Sequence, residues 1–263
     1  MFITKEEFKI NKEFLNNGFC IRKVSSNLIL DKIRNFIENK ARKNMKKNKN
    51  NNFLNNYHKY ISLKKLNDER LGIIQSCSAK KDLRENFYKL VSKYLDSIVG
   101  NELVMQKKIN LSIQLPKDNS SLLDLHADTW SGDSPFETVV WLPLVDCYKT
   151  KSMYILPKKK YNKFLNIFEK NKFKKTTEIF NLIKKDIIWI DIKYGEVLIF
   201  NQCLPHGNVV NKENETRWSM NCRFKSIFSP YSDKKLGEFF DPITLKPSSV
   251  IGLNYKYPFS SDK

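Results

Sequence analysis

The sequence has only three histidines, His58, His126 and His206, in 263 residues, so imidazole chemistry has three positions to draw on. Its five cysteines, Cys20, Cys77, Cys147, Cys203 and Cys222, are odd in number, widely spaced and without a C-x-x-C pair, which excludes a disulfide framework and a thiolate metal site. They read as reduced, buried thiols. No stretch approaches the ~18 apolar residues of a membrane helix, and the N-terminus mixes charges of both signs where a signal peptide needs an apolar run. A cytoplasmic protein without a membrane span is expected. With eight glycines, no Gly/Ser linker and no internal repeat, one domain over residues 1–263 is the economical organisation.

Arginine is also scarce. The formal charge is +19, yet 40 of the 47 basic residues are lysine and only seven are arginine. Recognition of phosphates and base edges favours the guanidinium fork, so the excess reads as a soluble surface and no nucleic-acid partner is expected.

The first hundred residues are helix-rich: Lys5–Asn16, a segment capped by Ser25 and Ser26, and Lys80–Ile98 carry helical spacing, with a β-favouring run Phe19–Val24 after Gly18. The Lys/Asn tract Lys43–Asn56 reads as a solvated loop, and His58 beside it as a surface residue. Residues 101–230 carry short β-favouring runs at 108–115, 138–144, 152–156, 187–192, 196–201 and 217–228, interrupted by a basic, helix-compatible insert at 158–185 that includes Phe173. Residues 231–263 form a C-terminal extension. The fold class is α+β, a sandwich or small barrel with the N-terminal helices packed outside.

Two histidines sit in suggestive settings. His126 and Asp128 project from one side of a strand end, and His206 follows the apolar strand 195–200. Two imidazoles and a carboxylate suit Fe(II) and leave three positions open. Eleven residues after His206, period-two geometry places Arg217, Ser219, Asn221 and Arg223 on one strand face. An inward guanidinium beside a hydroxyl suits an anion such as a carboxylate, the alternative being a Glu or Asp on a neighbouring strand.

These residues resemble the Fe(II)- and 2-oxoglutarate-dependent dioxygenases of the phytanoyl-CoA dioxygenase-like group, and among them the streptomycin-biosynthesis-type oxygenases of carbohydrate and aminoglycoside gene clusters. The resemblance rests on Glu13–Phe19, His126-Ala-Asp128-Thr-Trp130, Ser134–Glu137, Val140-Trp-Leu-Pro-Leu144, Ser152-Met153, Pro157, Gly195-Glu196, His206-Gly-Asn208 and Arg217-Trp-Ser219. It implies a double-stranded β-helix (jelly-roll, cupin-like) core and an iron held by His126, Asp128 and His206. The distal carboxylate of 2-oxoglutarate would lie on Arg217 and Ser219, with Gln114 as a further contact, and O2 as co-substrate.

The implied activity is hydroxylation of a small polar, sugar-like metabolite or nucleotide sugar, with Thr129, Trp130, Glu137, Trp141, Asn221 and Arg223 as substrate contacts and Tyr154 nearby. Lys158-Lys-Lys160 replaces the group's usual P-G-S-H turn, which bears on the substrate lid. Asp128 stands where related halogenases carry a small residue, which favours oxygen insertion. Two other readings fit the residues: a metal-dependent β-barrel isomerase or hydrolase, and a basic binding module without chemistry.

Overall fold

The computed structural model describes residues 3–43, 52–172 and 174–258. The chain begins with α1 (Lys5–Asn17), opened by a reciprocal cap in which the Glu7 amide donates to Thr4 Oγ1 and the Thr4 amide to the Glu7 carboxylate. Gly18 closes it at φ +80°, where a Cβ would meet Leu204 Cδ1 at 2.5 Å. The expected break at Gly18 thus has two causes, a left-handed turn and a close approach. β1 (Phe19–Lys23), α2 (Asn27–Arg42), α3 (Leu63–Ala79), α4 (Leu83–Lys89) and α5 (Ser92–Ile98) follow. Ser26 caps α2, accepting from the Ile29 amide.

Helix α3 lies outside the expected helices, and the region 80–98 is two short helices rather than one. The Lys/Asn tract also departs from expectation. Residues 44–51 lie outside the described residues, but Phe53, Leu54 and Tyr57 are fully buried. The Leu54 carbonyl accepts from the Trp218 indole at 3.0 Å, and Tyr57 meets the same ring edge-on. His58 is half-buried rather than superficial, its Nδ1 lying 3.0 Å from Thr216 Oγ1.

The remaining elements are β2 (Leu103–Gln106), β3 (Asn110–Gln114), β4 (Thr138–Pro143), β5 (Tyr154–Ile155), α6 (Tyr161–Lys170), α7 (Thr176–Ile183), β6 (Ile188–Trp189), β7 (Glu196–Asn201), β8 (His206–Gly207), β9 (Arg217–Ser226), β10 (Phe240–Pro242) and α8 (Pro247–Asn254). Every pairing between these strands is antiparallel. The larger sheet runs β1-β7-β4-β9-β2-β10, with β3 also on β9, and the smaller runs β6-β5-β8. The short strands β2, β8 and β10 were not foreseen, and part of the C-terminal extension joins the sheet through β10. This mixture of helices and antiparallel sheets agrees with a jelly-roll core.

Strand β9 divides the interior. Its even residues, Trp218, Met220, Cys222 and Phe224, are fully buried in the main core, where Trp218 meets Tyr57, and Phe224 stacks on Phe87 of α4. Its odd residues face the smaller sheet, and the register places Gln114, Ser112 and Asn110 of β3 opposite Arg217, Ser219 and Asn221. On the far side of the smaller sheet, Leu125, Tyr154 and Leu156 pack with Phe164 of α6 and Ile179 and Ile183 of α7, so the basic insert covers that sheet. Phe173 lies outside the described residues. No helix among them is long and apolar enough to cross a membrane.

Candidate metal centre

The polar face of β9 and the β8 edge enclose a cavity of about 240 Å³. His126, Asp128, His206 and Arg223 line it with Asn110, Asn208 and Asn221, over apolar walls that include Trp141, Met153 and Phe200. One ligand atom from each of His126, Asp128 and His206 lies within 4.8 Å of the others. Asp128 Oδ1 is 3.6 Å from His126 Nε2 and 3.9 Å from His206 Nε2.

The backbone and the Nδ1 atoms set this convergence. His126 and His206 exchange backbone hydrogen bonds of 3.0 and 2.8 Å, pairing two residues 80 positions apart. His126 Nδ1 lies 2.7 Å from the Asp124 carbonyl, and His206 Nδ1 lies 2.8 Å from the Leu204 carbonyl. A carbonyl only accepts, so each Nδ1 carries a proton and each Nε2 is the ring atom left to face a metal. Burial, then the neighbouring His126, lowers the His206 pKa to about 4, which keeps it neutral as a ligand must be. Two imidazoles and one carboxylate, free of sulfur, fit a divalent transition metal.

A second polar group continues along the same strand face. Arg217 is 3% exposed, its Nη1 donating to the Ser152 carbonyl and its Nη2 to Ser112 Oγ, both at 3.0 Å. No carboxylate among the described residues pairs with it. Its Nε, Ser219 Oγ, Ser152 Oγ and Gln114 Oε1 are buried without a partner. Burial lowers the Arg217 pKa only to about 10, so the group stays cationic at neutral pH. A lone buried cation beside two free hydroxyls is the environment an incoming carboxylate completes.

Strand and loop geometry sorts the other candidates. Asn221 and Trp141 line the cavity, and Asn221 Oδ1 accepts from Asn110 Nδ2 at 2.8 Å. Thr129 and Trp130 lie on the short turn of 3-10 helix Asp128–Ser131, beside the lining rather than in it. Trp130 stacks on Phe164 of α6 and meets Phe168 at a tilt, with centroids 6.0 and 5.1 Å away. Glu137 is buried away from the lining, one oxygen accepting from the Ser134 amide. Gln114 is fully buried and donates to the Val209 carbonyl. Tyr154 belongs to the packed cluster under the insert. Arg223 lines the cavity, and its Nη2 is 2.9 Å from Asp128 Oδ2.

Sequence reasoning did not single out Asn110, Ser112 or Gln202. Only the β3–β9 register could have announced the first two, since a period of two says which residues share a face but not which strand lies opposite.

No family model matches the chain, and no curated protein sequence matches it. Its structure is similar to ThoJ, a non-heme monooxygenase in complex with nickel, at a TM-score of 0.54 and 11% identity over 89% of this chain and 84% of that one. HygX from Streptomyces hygroscopicus, with nickel and 2-oxoglutarate bound, aligns at 0.52 and 13% identity over 89% and 90%. EctD from S. alaskensis, with 2-oxoglutarate and 5-hydroxyectoine, aligns at 0.55 and 11% identity over 87% and 78%. At such low identities the likeness concerns the fold: the chain shares the architecture of these proteins.

Proposed function

We propose that the protein is an Fe(II)- and 2-oxoglutarate-dependent oxygenase of the phytanoyl-CoA dioxygenase-like group, acting on a small polar, sugar-like metabolite. The observation that carries the reading is Arg217, a buried cation without a carboxylate partner among the described residues, on the strand face shared with the cavity of His126, Asp128 and His206. An isomerase or hydrolase built on the same three ligands gives this costly group no task.

His126, Asp128 and His206 would hold the iron. Arg217 Nε and Ser219 Oγ would take the distal carboxylate of 2-oxoglutarate, with Gln114 beside them. When bound, iron and 2-oxoglutarate supply the oxidising power, consuming O2, releasing succinate and CO2 and hydroxylating a C–H bond of the substrate. The protein's own part is to orient and to exclude water. Trp141, Met153 and Phe200 make the walls of the cavity apolar, while Asn208 and Asn221 offer amides suited to hydroxyl groups. Trp130 and Thr129, on the turn that also carries Asp128, would contact the bound substrate.

Anaerobic addition of Fe(II) and 2-oxoglutarate tests the reading. A weak visible charge-transfer band is expected, absent in His206→Ala and lost at the same 2-oxoglutarate concentration in Arg217→Ala. No band with folded wild-type protein overturns the proposal. Substrate class is then tested by succinate formation above the uncoupled rate with free sugars, nucleotide sugars and amino acids; stimulation by amino acids alone would exclude the sugar-like substrate.

A further inference from the structure

The two oxygens of Asp128 face different partners. Oδ1 looks toward the imidazoles, 3.6 and 3.9 Å from the two Nε2 atoms, while Oδ2 lies 2.9 Å from Arg223 Nη2. That guanidinium is held on several sides. Its Nε donates to Gln202 Oε1 at 3.1 Å, Asp133 Oδ2 stands 3.5 Å from Nη2, and Glu137 Oε2 stands 3.9 Å from Nε. Gln106 Oε1 accepts from the Arg223 backbone amide at 3.2 Å.

Gln202 closes the circuit. Its carbonyl accepts from the Asp128 amide at 3.1 Å, its side-chain oxygen receives Arg223, and its Nε2 donates to the Ser134 carbonyl at 2.7 Å. One residue therefore fixes both the backbone of Asp128 and the cation that grips its carboxylate. Cross-strand geometry alone does not demand this, because Arg223 lies opposite Val139 in the β4–β9 register and reaches beyond that strand to the 128–134 loop.

We infer that Arg223 is a positioning residue that divides the Asp128 carboxylate, holding Oδ2 so that a single oxygen, Oδ1, is presented to the metal. The inference rests on the metal centre proposed above. Its chemical value lies in the vacant positions. A carboxylate gripped at one oxygen supplies one ligand and leaves the other side of the metal for co-substrates, whereas a released carboxylate can turn both oxygens inward. A fork donor is suited to this task, since its Nε is anchored on Gln202 Oε1 while Nη2 reaches Oδ2, whereas an ammonium at the same place has no second nitrogen to anchor it. Arg223 thereby serves the metal rather than the substrate, although it lines the same cavity.

The test uses Co(II) as the probe, added anaerobically to folded wild-type, Arg223→Gln, Arg223→Lys and Gln202→Leu proteins. Affinity and the visible absorption of the bound ion are recorded, followed by titration with 2-oxoglutarate. Arg223→Gln is expected to bind Co(II) about 10–100-fold more weakly, with an altered absorption band and weakened 2-oxoglutarate binding. Arg223→Lys should recover part of the affinity without restoring the band. Gln202→Leu should change the band while the cation remains. Wild-type affinity and an unchanged band in Arg223→Gln overturn the inference. Should that variant fail to fold, the same result in both Arg223→Lys and Gln202→Leu overturns it. If the wild-type protein binds no Co(II), or His206→Ala binds it equally, the metal centre itself fails, and that outcome differs from failure of Arg223 alone.

Discussion

His126 and His206 are hydrogen-bonded to each other through both backbone amides, at 3.0 and 2.8 Å, and their rings stand 4.3 Å apart. The two imidazoles are therefore placed by the main chain before any metal is considered. Each ring is then turned by a carbonyl two residues upstream, Asp124 or Leu204.

Gly207→Ala should weaken metal binding without touching a ligand. A Cβ at this position would lie 2.7 Å from the Leu123 carbonyl oxygen and 2.6 Å from the Tyr154 hydroxyl oxygen. The tyrosine is packed under the insert and the other neighbour is backbone, so β8 must move and carry His206 with it. The expected cost in stability is about 1–3 kcal/mol. Isothermal titration with Co(II) should show lower affinity in a protein whose circular dichroism is still that of the wild type; unchanged affinity would show that β8 has slack.

Arg217→Met should separate stability from ligand binding. In the absence of an anion the buried guanidinium carries a desolvation cost with two neutral acceptors to offset it. The variant is expected to melt at or above the wild-type temperature when no 2-oxoglutarate is present. With 2-oxoglutarate the order reverses, because charged hydrogen bonds worth about 1.5–3 kcal/mol each are lost and binding falls about 100-fold. Differential scanning fluorimetry with and without 2-oxoglutarate measures both effects.

The ligand set was readable because its residue types are scarce: with three histidines in the chain, H-x-D and a second histidine after an apolar strand leave few alternatives. The polar face of β9 was readable from its period of two. What joins these parts was not. Arg223 and Asp128 are 95 positions apart, and their contact depends on a loop that passes beyond β4. Ser112 and Ser152, which hold Arg217, come from a neighbouring strand and a loop, and neither place is written in local sequence. Helix α3 escaped notice because Leu66, Ile73 and Cys77 are its only buried residues, too sparse for a clear apolar stripe, with Gly72 among them. The Asn-rich composition around Phe53 likewise hid three aromatic or aliphatic side chains that the sheet buries.

Stability should fall steeply at alkaline pH. Burial raises the thiol pKa of Cys20, Cys147 and Cys222 from 9.0 to about 12, and that of Cys77 to about 11. The unfolded chain releases these protons first. Above about pH 9 it therefore binds fewer protons than the native state, and native stability present below that pH is lost progressively up to the folded values. The slope is on the order of 1.4 kcal/mol per pH unit for each thiol. Urea titrations between pH 8 and 10.5 should show the decline, and Cys147→Ala should make it shallower; a flat profile would mean these thiols are reached by solvent.

Phe53→Ala should cost about 3–5 kcal/mol, the range for emptying a buried aromatic site. By composition the segment around it resembles solvated loop, so a surface role would make the substitution neutral. The structure puts the ring at 0% exposure, stacked on Tyr60 at 5.5 Å, edge-on to Tyr57 and beneath the Arg42 guanidinium at 3.9 Å. Tyr57 in turn packs on Trp218, whose indole is bonded to the Leu54 carbonyl. Loss of Phe53 thus loosens the core face of β9, the strand whose other face carries Arg217 and Arg223. Chemical denaturation should give a large drop in midpoint. Where folded protein persists at low temperature, 2-oxoglutarate affinity should fall as well, since Trp218 sits between Arg217 and Ser219 and a shift of one side of the strand moves the other. A variant as stable as wild type would return this segment to the surface.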